Sequence, residues 1–169
     1  EVDEQSKTKL VMDNITTTLS MTNGSKLEMP WNSNTKTIEL FLKPADAGVY
    51  TILSGSGGWN VQLSGSLDDD YGYIIFSGSS ASITSDRLPI FNNRFFGISL
   101  STGSFGLKMD VRQAEKDRTI FENSYTSSAD NSFGNGSKLW VGGNYSGSLD
   151  EFRLWKIYLI YSLDYRFTH

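Results

Sequence analysis

Phe105-Gly106-Leu107-Lys108-Met109-Asp110-Val111-Arg112 is the stretch that decides the fold. Apolar residues take every second position, and small or charged residues take the positions between. Successive side chains of a strand point to opposite faces, so a period of two reads as a half-buried β-strand. Thr37-Ile38-Glu39-Leu40-Phe41-Leu42-Lys43 repeats the pattern with Ile38, Leu40 and Leu42 inward, and Pro44 closes it. Outward from these two, strands are expected at 49–54, 59–64, 71–77, 95–101, 118–123, 138–142 and 148–155. Most gaps carry turn residues: Asn23-Gly24, Gly55-Ser56-Gly57-Gly58, Asn92-Asn93, Thr102-Gly103, Asn135-Gly136 and Gly142-Gly143-Asn144. No stretch before residue 155 keeps a helical period over ten residues. Gln113-Ala114-Glu115-Lys116-Asp117 has helix-forming residues but no cap, and it reads as a turn.

Composition agrees. Glycine and serine supply 16 and 24 of 169 residues, a proportion that in isolation points to disorder. Yet 38 % of the chain is hydrophobic and 13 % aromatic, enough surface to offset the entropy of ordering. The expected architecture is an all-β, two-sheet antiparallel jelly-roll sandwich. Residues 8–169 are expected to form this single domain. The polar stretch 1–7 reads as a linker or the end of a preceding segment, and the Ile-, Tyr- and Leu-rich tail after Trp155 as a last strand or a short helix. A start at Glu1 instead of Met reads as a piece of something larger.

The same arithmetic narrows the chemistry. The chain has no Cys, which removes disulfides, thiolate nucleophiles and zinc–sulfur sites. The one His is the final residue, His169, which leaves no internal Ser-His-Asp triad. A net charge of −4 without a basic cluster argues against nucleic acid, and no apolar run reaches the ~18 residues of a membrane helix.

Four segments, in order, resemble the laminin-G-like and pentraxin-like branch of the concanavalin A-like jelly rolls. Gly24-Ser25-Lys26-Leu27-Glu28-Met29-Pro30 resembles the opening strand of that family, and Thr37–Pro44 its Thr-Ile-Glu strand with an aromatic at Phe41. Arg94-Phe95-Phe96-Gly97-Ile98-Ser99-Leu100 stands where a third family strand is expected. Most specific is Lys138-Leu139-Trp140-Val141-Gly142-Gly143 followed by Gly147-Ser148-Leu149-Asp150-Glu151-Phe152-Arg153-Leu154-Trp155, which is similar to the closing pair. The resemblance spans about residues 20–160. In the closing pair Leu149, Phe152 and Leu154 are expected to face the core, Asp150-Glu151 to form a bulge that resets the alternation, and Trp155 to plug the end of the sandwich.

Candidate sites follow from the turns. Trp59 and Asn60 sit beside a glycine-rich turn, Asn144 and Tyr145 in another, and Tyr71 and Tyr73 after the acidic run Leu67-Asp68-Asp69-Asp70. Sugars are held by an aromatic face under the ring and by amides or carboxylates on the hydroxyls, so these six residues are the expected ligand contacts. The acidic run offers oxygen ligands for calcium but lacks the spacing of a calcium loop and reads as a solvated hairpin tip. At the positions of the pentraxin-type calcium site, Trp59-Asn60 keeps the Asn but replaces the Asp, and Gly142–Ser146 carries no carboxylate. No cofactor is expected; calcium is the one metal left open. Glycosidases of this superfold carry alternating carboxylates on one strand. The comparable string here is Glu1-Val2-Asp3-Glu4-Gln5-Ser6, which lacks the last Glu, so an enzyme is not expected. Asn14-Ile15-Thr16, Asn23-Gly24-Ser25, Asn135-Gly136-Ser137 and Asn144-Tyr145-Ser146 fit the N-glycosylation pattern.

The resemblance implies a binding or adhesion domain of a larger extracellular or virion-surface protein, such as a phage tail or capsid protein, that takes a glycan or protein ligand through rim loops. The alternative is a structural decoration or spacer domain without a ligand of its own. A glycoside hydrolase comes last.

Overall fold

A computed structural model describes residues 9–13, 16–115, 118–128 and 133–157. Thirteen strands run through them: β1 (Lys9–Asp13), β2 (Thr16–Met21), β3 (Lys26–Pro30), β4 (Thr37–Pro44), β5 (Val49–Gly55), β6 (Trp59–Gly65) and β7 (Gly72–Ser77), then β8 (Ser82–Thr84), β9 (Phe96–Gly103), β10 (Gly106–Glu115), β11 (Arg118–Ser127), β12 (Lys138–Gly142) and β13 (Gly147–Trp155). They form a seven-stranded sheet, β1-β2-β13-β4-β9-β10-β11, and a six-stranded sheet, β3-β12-β5-β6-β7-β8. The two antiparallel sheets are the layers of a jelly-roll sandwich.

The period-two pattern builds the core between the sheets. Ile38, Leu40 and Leu42 of β4 are fully buried, as are Ile98 and Leu100 of β9 and Met109 of β10. Register sets Ile38 against Leu100 and Leu40 against Ile98, so inward side chains of neighbouring strands meet in rows. From the facing sheet Leu53, Val61, Leu63 and Ile74 complete the layer. Burying each aliphatic side chain contributes about 1.5–3 kcal/mol.

Several details differ from expectation. Phe105 is not the first residue of its strand; it occupies the tight turn between β9 and β10 and is exposed. Residues 113–115 are not a turn but the continuation of β10, where Gln113 is buried and exchanges hydrogen bonds with the Asn92 amide at 2.7 and 3.1 Å. The bulge at Asp150-Glu151 is present: the β13–β4 register shifts there, and Glu151 takes a φ of 52°. Trp155 does not plug the end of the sandwich. It pairs with Thr37, an outward position of β4, and its indole donates to Glu39 on the outer side of the seven-stranded sheet. The segments 1–7 and 158–169, with His169, lie outside the described residues.

Consecutive hairpins turn at opposite ends of a sheet, and this arranges the loops. The β5–β6 turn closes at Gly55 and Trp59, and the β6–β7 turn closes at the other end, at Gly65 and Gly72.

Candidate functional site

The six residues expected at the ligand fall in two places. Trp59 and Asn60 are at the β5–β6 turn, whereas Tyr71, Tyr73, Asn144 and Tyr145 gather at the opposite end of the six-stranded sheet. Strand order decides this, and a glycine-rich turn looks the same in sequence at either end.

Two of the six belong to the core. Trp59 is 3 % exposed and Tyr145 0 %. Trp59 opens β6 in the same phase as Val61 and Leu63, so its indole points between the sheets. There it stacks on Phe76, with centroids 6.1 Å apart, and meets Trp31 at 5.4 Å and Phe133 at 5.5 Å. The dimple beside it, lined by Gly57, Phe76 and Phe133, offers about 10 Å³, room for one water and not for a sugar ring. Tyr145 packs edge-on against Tyr50 at 5.9 Å and donates its hydroxyl to the Ser148 carbonyl at 2.9 Å. Burial pushes the phenol of Tyr145 far above its ordinary range.

Asn144 is a positioning residue. Its Oδ1 accepts from the Thr51 N–H at 2.6 Å, and its Nδ2 donates to the Val49 carbonyl at 3.0 Å. Strand β12 pairs with β5 only from Leu139 to Val141. Beyond that the side-chain amide does what a strand backbone would, and it fixes the start of β5.

The exposed members make a rim. Tyr71 and Tyr73 are 45 % and 41 % exposed, and beside them stand Leu67 at 78 % and Val49 at 60 %. Val49 and Tyr73 both pair with Ser64, which puts them in one cross-strand row. Leu67 and Tyr71 flank the acidic tip of the β6–β7 turn. That tip is held in shape: Asp69 Oδ1 accepts from the Tyr71 N–H at 2.9 Å, and Asp69 also forms an ion pair with Arg87. The Arg87 guanidinium lies 5.1 Å from the centre of the Tyr71 ring, a cation–π contact. The Tyr71 N–H, and then Arg87, hold the Asp69 carboxyl below its ordinary range. Val49 and Arg87 carried no signal in the sequence, because pairing alone brings them to this end, whereas Leu67 heads the acidic run of the same turn.

From the rim the outer face of the six-stranded sheet runs to a second aromatic residue. Trp140 alternates with the buried Leu139 and Val141 and therefore points outward from β12. Its Nε1 donates to Glu28 Oε2 at 2.9 Å, and Lys138 Nζ sits 2.7 Å from Glu28 Oε1. Lys138 first, then Trp140, lower the Glu28 pKa. Pairing carries this row across the sheet from Trp140 to Ser54, Asn60, Ser77 and Ser82. Asn60 Oδ1 is buried and has no hydrogen-bond partner among the described residues. Trp140 was readable from alternation within its own strand, but in sequence it passed as part of a fold motif.

The outer face of the seven-stranded sheet is different in kind. Glu39 and Asp110 both pair with Ser99 there, two strands apart and so about 10 Å between backbones. Each carboxyl is already engaged, Glu39 by the Trp155 indole at 2.6 Å and Asp110 by Lys108 at 2.9 Å. Among the described residues no three His, Cys, Asp or Glu side chains are grouped to hold a metal ion.

No protein-family model and no curated protein sequence matches the chain. Solved structures do. Domain 4 of AbnA, a GH43 extracellular arabinanase from Geobacillus stearothermophilus, solved in complex with arabinotriose, superposes with a TM-score of 0.58 at 16 % identity, covering 90 % of this chain and 76 % of that one. The binding domain of botulinum neurotoxin serotype D gives a TM-score of 0.50 at 14 % identity, covering 94 % of this chain and 42 % of that one. The chain thus spans less than half of the toxin domain. At these identities the likeness is one of fold.

Proposed function

We propose that this chain is a non-catalytic glycan-recognition domain of a larger extracellular or virion-surface protein, and that its ligand meets the rim of Val49, Leu67, Tyr71 and Tyr73. One observation carries the reading: four of the large hydrophobic side chains that face solvent stand together at one end of one sheet, around an ordered acidic turn. Tyrosine rings offer rigid apolar faces for sugar C–H groups at a low entropy cost, and the aspartates of the tip are acceptors for hydroxyls. The arabinotriose complex of the AbnA domain supports a sugar ligand on a sandwich of this shape. The engaged carboxyls of Glu39 and Asp110 support binding without hydrolysis.

The test is a glycan-array screen with and without calcium, followed by titration of the Tyr71→Ala and Tyr73→Ala variants. Saturable binding that falls at least tenfold in Tyr73→Ala is the expected result. A chain that binds no glycan in either condition is a spacer or decoration domain instead. Binding that requires calcium would place a metal at the acidic tip.

A further inference from the structure

Four of the six strands in the smaller sheet carry no charge, and the charges of that sheet's outer face are confined to β3 and β12. Strands β5, β6, β7 and β8 read VYTILSG, WNVQLSG, GYIIFS and SIT and contain no Asp, Glu, Lys or Arg. The chain as a whole is 20 % charged, and β10 and β13 of the other sheet have several charges each. Solvent-facing sheet surfaces ordinarily carry lysines and glutamates that keep sheets from associating. Here that protection is missing over four adjacent strands, which calls for an occupant.

The side chains on this face narrow the occupant. Thr51, Ser54, Asn60, Gln62 and Ser64 carry hydroxyls and amides, each able to donate and accept, and Ile75 of β7, beside Gln62 in the same row, is the apolar side chain among them. Such a carpet suits neither an apolar partner, which would leave these groups unpaired, nor an ionic one. Aromatic residues mark its two ends: Tyr73 at the rim and Trp140, held by Glu28, diagonally across. Asn60, with its unpartnered amide oxygen, lies in the Trp140 row. From Ser64 to Asn60 is four residues along β6, about 13 Å, and from β7 to β12 is three strand spacings, about 14 Å. The diagonal is near 19 Å by the same spacings.

We propose that the ligand is a linear, uncharged oligosaccharide laid across the outer face of the six-stranded sheet, its ends on Tyr73 and Trp140. This rests on the glycan reading of the rim and assigns that site its ligand class and its length. Trp140 is then the far subsite, touched only by a chain long enough to cross the hydroxyl-and-amide carpet.

Isothermal titration with arabino-, xylo- and cello-oligosaccharides from disaccharide to hexasaccharide, with an oligogalacturonide as the charged control, tests it. Affinity is expected to rise with chain length for a neutral series and to be absent for the charged control. Trp140→Ala should weaken hexasaccharide binding about tenfold and leave the disaccharide unchanged. Gln62→Arg, a surface change that leaves the core intact, should do the same by setting a charged side chain in mid-path. Affinity independent of length and indifferent to both variants overturns the extended site while the rim reading stands. Binding of the charged control also overturns it. No binding to any sugar overturns both. Concentration-dependent dimerisation abolished by Gln62→Arg assigns the face to a second copy of the chain and overturns the proposal.

Discussion

Trp155 donates its indole N–H to Glu39 Oε2 at 2.6 Å, linking residues 116 positions apart on the outer side of the seven-stranded sheet. The pair joins the third residue of β4 to the last residue of β13, tying together two strands far apart in sequence. Glu39 is 4 % exposed, and a buried acceptor without a donor costs about 1–3 kcal/mol. Trp155→Phe should therefore lower stability by about 2 kcal/mol in urea unfolding, whereas Glu39→Gln, which keeps an acceptor, should lose less. The double variant should lose less than the sum. Additive losses would mean that the bond does not couple the two strands.

Trp59 was expected to touch ligand and instead fills the core with Trp31, Phe76 and Phe133. Trp59→Ala should cost about 3–5 kcal/mol, read by chemical denaturation. Its effect on binding, measured where the variant is still folded, should be small beside that of Tyr73→Ala. A stable Trp59→Ala protein that has lost its ligand would return Trp59 to the site.

How much was legible follows from the range of each interaction. Ile38, Leu40 and Leu42 declare their strand because alternation is local, and the Asp150-Glu151 bulge was readable because the alternation breaks there. Phe105 kept the phase of its strand and still belongs to a turn, since phase says nothing about where a hairpin closes. Whether a turn residue such as Trp59 faces in or out depends on the end of the sheet at which it sits. Val49 joins Tyr73 and the local turn residue Leu67 in the rim only through cross-strand register, a long-range property. The absence of charge in strands β5 to β8 was in plain view but became a surface only once the four strands were found side by side.

Gly106 makes the β9–β10 turn possible. Its φ is +97°, and a side chain there would run into the Ser127 carbonyl and come within 2.9 Å of Ser128 Cα at the end of β11. Both are backbone atoms, the first in the paired strand β11 and the second in the residue after it, and neither can swing away as a side chain would. Gly106→Ala should destabilise by more than about 1 kcal/mol. Gly103→Ala at the other end of the turn meets the Phe105 ring, a side chain and not backbone, at a φ that a side chain tolerates, and should cost less. Equal melting temperatures for the two variants would contradict this.

Asp150 provides a prediction about pH. Partial burial raises its pKa, and Arg153 pulls it back only in part. The unfolded carboxyl therefore ionises first as pH rises, and over that interval the folded state holds more protons. Stability must fall with rising pH through this group, with the full penalty present above the folded pKa. Glu28 and Asp69 have lowered pKa values and work with the opposite sign, contributing stability that is lost on acidification. The Asp150→Asn variant removes the first effect and leaves the other two in the background. It also keeps the Oδ1 that accepts from the Glu151 N–H at 2.8 Å, so the bulge is preserved. The variant should melt higher than the parent at pH 7, and the gap in Tm should close as the pH falls below about 4, where both forms are neutral. A gap that stays constant across that range would show that ionisation of Asp150 is not its source, and an Asn variant that melts lower at pH 7 would show that the bulge needs the charge.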